Sequence, residues 1–255
     1  MKNSKNVFKL YGNYYDIIYK RKKYQKETIF IDKLLRKFNA NNKNILEFGS
    51  GTGGHAKFFV NKGYIVHGIE KSKSMIANCT KIKGFTFQYG DACKIKLKKK
   101  YDIILALFHV LSYQIHESNI NDFFKNAVLH LKPGGLLGFD FWFANAVKFQ
   151  KPAVRIIERK KNFFKLVRLA EPIKSYFKNT INVNYTVILK NSKTNKVSII
   201  KENHLMRYFS LADLNFYFKK YQFKCLHVSE LVSNKKPSKD TWGIFCLLQK
   251  SKNKQ

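Results

Sequence analysis

The chain is poor in the residues that mark several protein classes. Its four cysteines, Cys79, Cys93, Cys225 and Cys246, are widely spaced, with no C-x-x-C pair and no histidine at ligand spacing. The expectation is four reduced thiols, mostly buried, and no metal site. Only four prolines punctuate 255 residues, and no segment repeats at a solenoid period. No stretch approaches the roughly 18 to 20 uninterrupted apolar residues of a membrane helix, and the N-terminal segment lacks the apolar core of a signal peptide. A cytoplasmic protein with no membrane span is expected. Residues at the polar ends, MKNSKN and SKNKQ, read as frayed.

Acidic residues are the other scarcity: 16 Asp and Glu stand against 49 Lys and Arg, for a net charge of +33. Such a balance concentrates anions near the surface, so a small anionic substrate and a nucleic acid both fit it. The lysines are scattered through every segment rather than gathered on one arm or helix, which favours a solvated basic surface over a nucleic-acid track. What is abundant is core material. Hydrophobic residues make up 45% of the chain, with 23 Phe and 14 Tyr, enough for one large domain carrying an insertion.

Apolar periodicity gives the organisation. Residues 1–43 read as helical, with Ile29, Phe30, Ile31, Leu34, Leu35 and Phe38 on one face and NANNKN closing the segment. Strands are predicted at 44–49, 64–70, 85–91, 101–107 and 136–143. Helices alternate with them at 53–63, over KSKSMIANCTKI, and at 122–131, and KPGG forms a turn. Nearly continuous apolar strands alternating with helices imply a doubly wound, mostly parallel α/β sheet covered on both faces. After residue 150 the period changes to two around the turn NSKTN, which predicts a small antiparallel β addition in the C-terminal half. LADLNFYFKKYQF then reads as an amphipathic helix, and two further strands finish the chain. The expected division is a helical lid at 1–43, a core at 44–150 and 205–250, and an antiparallel insertion at 151–204 that shapes an acceptor pocket.

In doubly wound sheets ligands bind beyond the carboxyl ends of the strands, so chemistry is sought at the strand exits. The first exit is Glu47-Phe48-Gly49-Ser50-Gly51-Thr52-Gly53-Gly54, whose glycines let a ligand approach the backbone. The second ends in Glu70, seventeen residues beyond Gly53, where a carboxylate can accept both hydroxyls of a ribose. The third is Gly90-Asp91-Ala92. The fourth, after YDIILAL, is Phe108-His109-Val110-Leu111-Ser112-Tyr113, three polar groups leaving a buried strand.

In order and spacing, EFGSGTG, VHGIEKSKSMI, YGDA, YDIILALFHVLSY and LKPGGLLGFDFW resemble the motif set of class I S-adenosylmethionine-dependent methyltransferases, over about residues 44–143. The resemblance implies a Rossmann-like fold and S-adenosyl-L-methionine as cofactor. By the same resemblance Glu47 faces the cationic end of the cofactor's methionine, Gly49, Gly51 and Gly53 shape its cleft, and Glu70 binds its ribose. Met75 and Ile76 then lie near the adenine, Asp91 accepts from its amino group, Ala92 touches the ring, and Leu107 approaches the methionine portion. NAD-type binding competes for the same glycines, but the loop is E-x-G-x-G-x-G and lacks the offset of G-x-G-x-x-G.

YGNYYDIIYKRKKYQKE, FHVLSYQ and HLMRYFSLADL further resemble a bacterial small-molecule branch that includes nucleotide-sugar N-methyltransferases. That resemblance implies a tyrosine-bearing lid, with Tyr14 and Tyr24 at the cofactor and Tyr14 also at the acceptor; each tyrosine equally fits the apolar stripe of a helix. Tyr113 is a further acceptor-side candidate. Trp142 is pocket wall or core, and Arg155 and Arg207 bind an acceptor phosphate or decorate the surface. His109 is either the base that takes a proton from the acceptor or the group that orients it. The expected activity is methylation of an amino or hydroxyl group on a small anionic metabolite such as a nucleotide-linked sugar used in surface polysaccharide. A nucleic-acid methyltransferase and a non-catalytic cofactor-binding domain are the alternatives. Oligomeric state is not legible.

Overall fold

The computed structural model describes residues 7–39, 43–150, 152–175 and 179–252. The outermost residues read as frayed, 1–6 and 253–255, and the middle of the NANNKN closure lie outside this range. A 3-10 turn at Tyr11–Tyr14 leads into α1 (Tyr15–Ile18) and α2 (Tyr24–Asn39). There follow β1 (Asn44–Phe48), α3 (Ala56–Val60), β2 (Ile65–Glu70), α4 (Lys73–Ala77), β3 (Phe85–Tyr89) and β4 (Tyr101–Ala106). A second 3-10 turn, Leu111–Tyr113, precedes α5 (Glu117–His130), β5 (Leu131–Phe143) and α6 (Ala144–Phe149). The later half contains β6 (Arg155–Lys161), β7 (Phe164–Lys174), β8 (Thr180–Asn191), β9 (Val197–Phe209), α7 (Leu211–Lys220), β10 (Phe223–Glu230) and β11 (Gly243–Lys250).

β3, β2, β1, β4 and β5 pair in parallel in that spatial order, β11 lies antiparallel on β5, and β10 lies antiparallel on β11. The chain order reverses between β1 and β4, which opens a crevice at their carboxyl ends. All six residues of β4 are buried because alternate side chains enter two different cores. Ile103 and Leu105 join Ile31, Leu35, Phe59 and Phe245 on the face covered by α2 and α3. Ile104 and Ala106 join Phe123, Phe124, Phe139 and Phe218 on the face covered by α5 and α7. At about 1.5 to 3 kcal/mol per buried large apolar side chain, these two layers fix the register of the central strands.

β6 to β9 form an antiparallel meander, with β6 on β7, β7 on β8 and β8 on β9. Among the described residues its ladder joins the main sheet where β9 runs parallel to β5, through the pairs Trp142–Tyr208 and Phe143–Phe209. Doubly wound core and antiparallel addition are both as expected, with local differences. β9 carries the addition through Phe209, past residue 204. KPGG is absorbed into β5 as an irregularity, since Tyr101 pairs with Leu131 and Ile103 with Leu136. α5 starts at Glu117, before the predicted 122, and the helices expected at 53–63 and 71–82 shorten to five residues each. The N-terminal segment also divides. α2 is a layer of the core, whereas residues 8–19 pack on Leu166, Val187 and Leu189 of the antiparallel sheet. Among the described residues no helix is long and apolar enough to cross a membrane.

Candidate functional site

Two cavities of ≈ 510 Å³ each lie at the carboxyl ends of the parallel strands, and Phe8, Tyr15, Phe108 and Tyr113 line both. The first is built on the glycine turn after β1. Gly49 and Ser50 donate to the Ile69 carbonyl, which folds the turn over the end of β2. Gly51, at φ +57°, then points its N–H at Glu70 Oε2 (2.9 Å), while Oε1 of Glu70 accepts from Ser72 N (2.7 Å). Burial raises the Glu70 pKa, and these backbone donors partly offset the rise. Each oxygen thus keeps lone-pair capacity toward the cavity. Asp91 accepts from Cys93 N (2.9 Å) and from Lys71 Nζ (2.6 Å); burial favours its neutral form, but Lys71 outweighs this and the pKa falls.

The cover over this cavity is stitched from both sides. Ser72 and Ser74 hydroxyls donate to the Phe8 carbonyl, and Thr52 Oγ1 bonds Asp16 Oδ1 at 2.6 Å. From the antiparallel sheet, Glu202 accepts from the backbone N–H groups of Phe8, Leu10 and Tyr11 at 2.8, 2.8 and 2.9 Å.

The second cavity lies between the exit of β4 and the antiparallel sheet. Phe108 and His109 both have positive φ, +64° and +66°, a conformation that costs a non-glycine residue about 1 kcal/mol or more. Asp140, buried on β5, holds that turn by accepting His109 N at 2.9 Å. His109 Nδ1 is 3.3 Å from Asp140 Oδ2 but off the hydrogen-bond direction. Burial lowers the His109 pKa, the Asp140 charge pulls it partly back, and the imidazole is neutral at neutral pH. Trp142, Arg155, Arg168, Tyr185 and Trp242 complete the wall.

A buried charge relay runs from this cavity behind the glycine turn. Lys22 Nζ sits 4.0 Å from the Phe108 ring centre and bonds both Glu27 oxygens at 2.6 and 2.7 Å. Glu27 Oε2 meets His55 Nε2 at 2.7 Å, and His55 Nδ1 is 3.8 Å from Glu47 Oε1. Burial opposes ionisation of Glu27, but His55 and Lys22 overcome it and hold the carboxyl at about 2. Glu47 is approached by His55 only at that 3.8 Å, beyond hydrogen-bond distance. Burial and the Glu70 charge push it up to about 8, and its Oε2 has no hydrogen-bond partner.

The sequence-predicted residues therefore separate into groups. Gly49, Gly51, Glu70, Met75, Asp91, Ala92 and Leu107 share the first cavity, His109, Trp142 and Arg155 the second, and Tyr113 stands between them. Glu47 lies behind the turn. Gly53 is packed against Phe85, where a Cβ would come within 2.6 Å of the ring. Tyr24 stacks edge-on to His55 and covers Gly54. Tyr14 and Ile76 are in neither wall; Tyr15 and Tyr19 take the place expected of Tyr14. Arg207 is also outside both cavities, paired with Glu117 (2.5 Å) and the Ile115 carbonyl (3.2 Å), with its guanidinium over Phe209. Lys22, Glu27, Arg168, His204 and Asp140 were not named as site residues, although Lys22 and Glu27 lie in YGNYYDIIYKRKKYQKE, His204 opens HLMRYFSLADL and Asp140 stands in GFDF.

Comparison with known proteins agrees with this geometry. Residues 45–135 match the family described as "Methyltransferase domain". The chain is 25% identical over 140 residues to a putative methyltransferase of Geobacillus sp. (strain WCH70), covering 52% of this chain and 57% of that relative. The match thus spans little more than half the relative's length. Among solved structures, a sugar N-methyltransferase from Streptoalloteichus sp ATCC 53650 superposes with a TM-score of 0.80 at 17% identity, covering 94% of this chain and 93% of that one. An amino pentose methyltransferase from Micromonospora echinaspora, solved with bound S-adenosylmethionine, superposes with a TM-score of 0.76 at 17% identity, covering 96% and 98%. At this identity the structural likeness establishes the fold.

The first cavity fits the cofactor of that domain, S-adenosylmethionine. Gly51 would carry a Cβ into open space, so a ligand can lie against its backbone. Glu70 presents oxygens held in place by two N–H groups, and behind the turn Glu47 Oε2 is a buried oxygen with no hydrogen-bond partner among the described residues.

Proposed function

Taking residues 45–135 as a class I methyltransferase domain with S-adenosylmethionine as its cofactor, we propose that the chain methylates an amino or hydroxyl group of a small anionic metabolite, foremost an amino group on a nucleotide-linked sugar. The observation that carries this reading is the second cavity. Its volume of ≈ 510 Å³ is in the range of small-molecule sites, its aromatic wall suits a sugar or base face, and Arg155 and Arg168 supply positive charge for phosphate. Within this reading the product is a methylated precursor of surface polysaccharide, made in the cytoplasm.

When bound, S-adenosylmethionine supplies an electrophilic methyl group on a sulfonium, so the protein's contribution is mainly alignment and proximity. Glu70 would receive the ribose hydroxyls with oxygens fixed by Gly51 and Ser72. Asp91 and Ala92 would hold the adenine with Met75 beside it, and Leu107 would flank the methionine portion. Tyr15 and Phe8 close the space above and exclude water, with Tyr24 bracing the glycine turn from behind. His109, neutral through burial, turns Nδ1 toward Asp140 and leaves Nε2 to hold a proton of the acceptor or take it. Trp142 and Arg155 orient the rest of the acceptor.

The net charge of +33 is the one feature that favours an RNA substrate. Incubating the protein with the cofactor and separate panels of amino-sugar nucleotides, neutral sugar nucleotides and RNA distinguishes the readings. Mass spectrometry is expected to find a methyl adduct on an amino-sugar nucleotide, together with S-adenosylhomocysteine. An adduct on RNA alone overturns the assignment.

A further inference from the structure

Tyr113 stands in the wall common to both cavities, and its hydroxyl is tied into a buried chain of three residues. Its Oη is 3.0 Å from His204 Nδ1, and His204 Nε2 is 3.2 Å from Glu202 Oε2. Every other partner of Glu202 is a donor: Phe8 N on Oε2, Leu10 N and Tyr11 N on Oε1. A carboxylate so surrounded can only accept, so His204 must carry its hydrogen on Nε2. The imidazole is 1% exposed and boxed by the rings of Tyr185, Phe8, Tyr11 and Tyr113, with centroids 4.7, 4.8, 5.7 and 5.8 Å away. That apolar box disfavours a second proton, which leaves the Nδ1 lone pair to accept the Tyr113 hydrogen.

We propose that Glu202 and His204 are positioning residues that commit the Tyr113 hydrogen to His204 Nδ1, leaving the Tyr113 oxygen as a hydrogen-bond acceptor that selects a nucleophile bearing an N–H or O–H. The inference rests on the methyl-transfer reading above and adds a device that reading does not contain. An amine or hydroxyl donates to Tyr113 Oη and is held at the passage between cofactor side and acceptor side. An atom with no hydrogen, such as a thioether sulfur or an aromatic ring nitrogen, faces lone pair against lone pair and is refused. Because Glu202 also holds the backbone of Phe8, Leu10 and Tyr11, one carboxylate sets both the cover and the selecting hydroxyl.

The test uses the full-length protein with 15N-labelled histidine. His204 is assigned by the resonance lost in His204→Asn, and the Nε2-protonated tautomer is expected at neutral pH. Glu202→Gln, whose amide can donate to Nε2, is expected to shift the ring toward the Nδ1-protonated form and to lower kcat/KM for the acceptor. Tyr113→Phe keeps the ring and isolates the hydroxyl. Loss of a hydrogen bond to a substrate group predicts a fall in acceptor kcat/KM of about 10-fold to 100-fold, with S-adenosylhomocysteine affinity held within about twofold by calorimetry. An Nδ1-protonated His204 in the wild type overturns the proposal. So does an unchanged kcat/KM in Tyr113→Phe, or a loss of S-adenosylhomocysteine affinity equal to the loss of turnover. If the wild type methylates no amine or hydroxyl acceptor, the methyl-transfer reading fails and this proposal falls with it, whereas an active wild type with an indifferent Tyr113→Phe overturns this proposal alone.

Discussion

Glu47 carries an ionisation penalty from burial and from the Glu70 charge. Its carboxyl sits at about 8 against an ordinary value near 4.5, raised by burial and by Glu70. Between those two values the folded chain keeps a proton that the unfolded chain has lost, so stability falls as pH rises through that window. Glu47→Gln is therefore expected to melt close to the wild type near pH 4.5 and above it at pH 8.5, by at least about 1 kcal/mol, given about 1.4 kcal/mol per pKa unit. Thermal melts of both proteins across pH check this. Glu70 behaves differently, because its oxygens are already held by Gly51 and Ser72. Glu70→Ala is expected to weaken S-adenosylhomocysteine binding by about 10-fold or more, as two charge-assisted hydrogen bonds would be lost; isothermal titration measures it. Both acids were legible because they end strands and chain position alone locates a strand exit. Glu27 and Glu202 were not, since their meaning comes from His55, 28 residues away, and from Phe8, 194 residues away.

At the scale of elements, the turn after β1 separates backbone demand from packing demand. Gly51 and Gly53 both have positive φ, +57° and +84°, but a Cβ at Gly51 meets nothing within 4 Å while one at Gly53 overlaps the Phe85 ring. Gly51→Ala is expected to cost about 1 kcal/mol in urea unfolding, from backbone strain alone. Gly53→Ala should cost about 2 kcal/mol or more, because overlap adds to strain. Central strands such as β4 were readable because burial on both faces leaves a continuous apolar run. β6 escaped sequence reading: Arg155, Glu158, Arg159, Lys160 and Lys161 break its pattern, and Ile156 is 68% exposed. α7 was plain, and its start follows from Ser210 and Asp213, which exchange hydrogen bonds in a capping box. Phe108 and His109 show the limit of such reading. No residue type announces two consecutive left-handed positions, which here depend on Asp140 from a separate strand.

At the scale of the whole molecule, the charge of +33 surrounds a site whose second cavity carries Arg155 and Arg168 beside the acids Asp140, Glu230 and Asp240, with Lys22 paired to Glu27. An anionic acceptor is drawn to this field, so its KM is expected to rise about twofold or more as ionic strength goes from about 0.05 M to about 0.3 M. Steady-state kinetics with a nucleotide-linked sugar and a neutral sugar amine would show salt sensitivity in the first and little in the second. Equal sensitivity in both would remove the electrostatic argument for an anionic substrate.

The seam between the two sheets consists of Trp142–Tyr208 and Phe143–Phe209. Two rungs join the scaffold that forms the first cavity to the antiparallel screen that walls the second. Hairpins of the screen can lengthen, shorten or change their inward side chains without disturbing the strand ends that form the first cavity. The two cavities are nevertheless coupled, because Glu202 and the Leu166, Val187 and Leu189 cluster also hold residues 8–19 over the first, so exchanging residues 155–207 between homologous scaffolds is expected to alter that cover together with the second cavity.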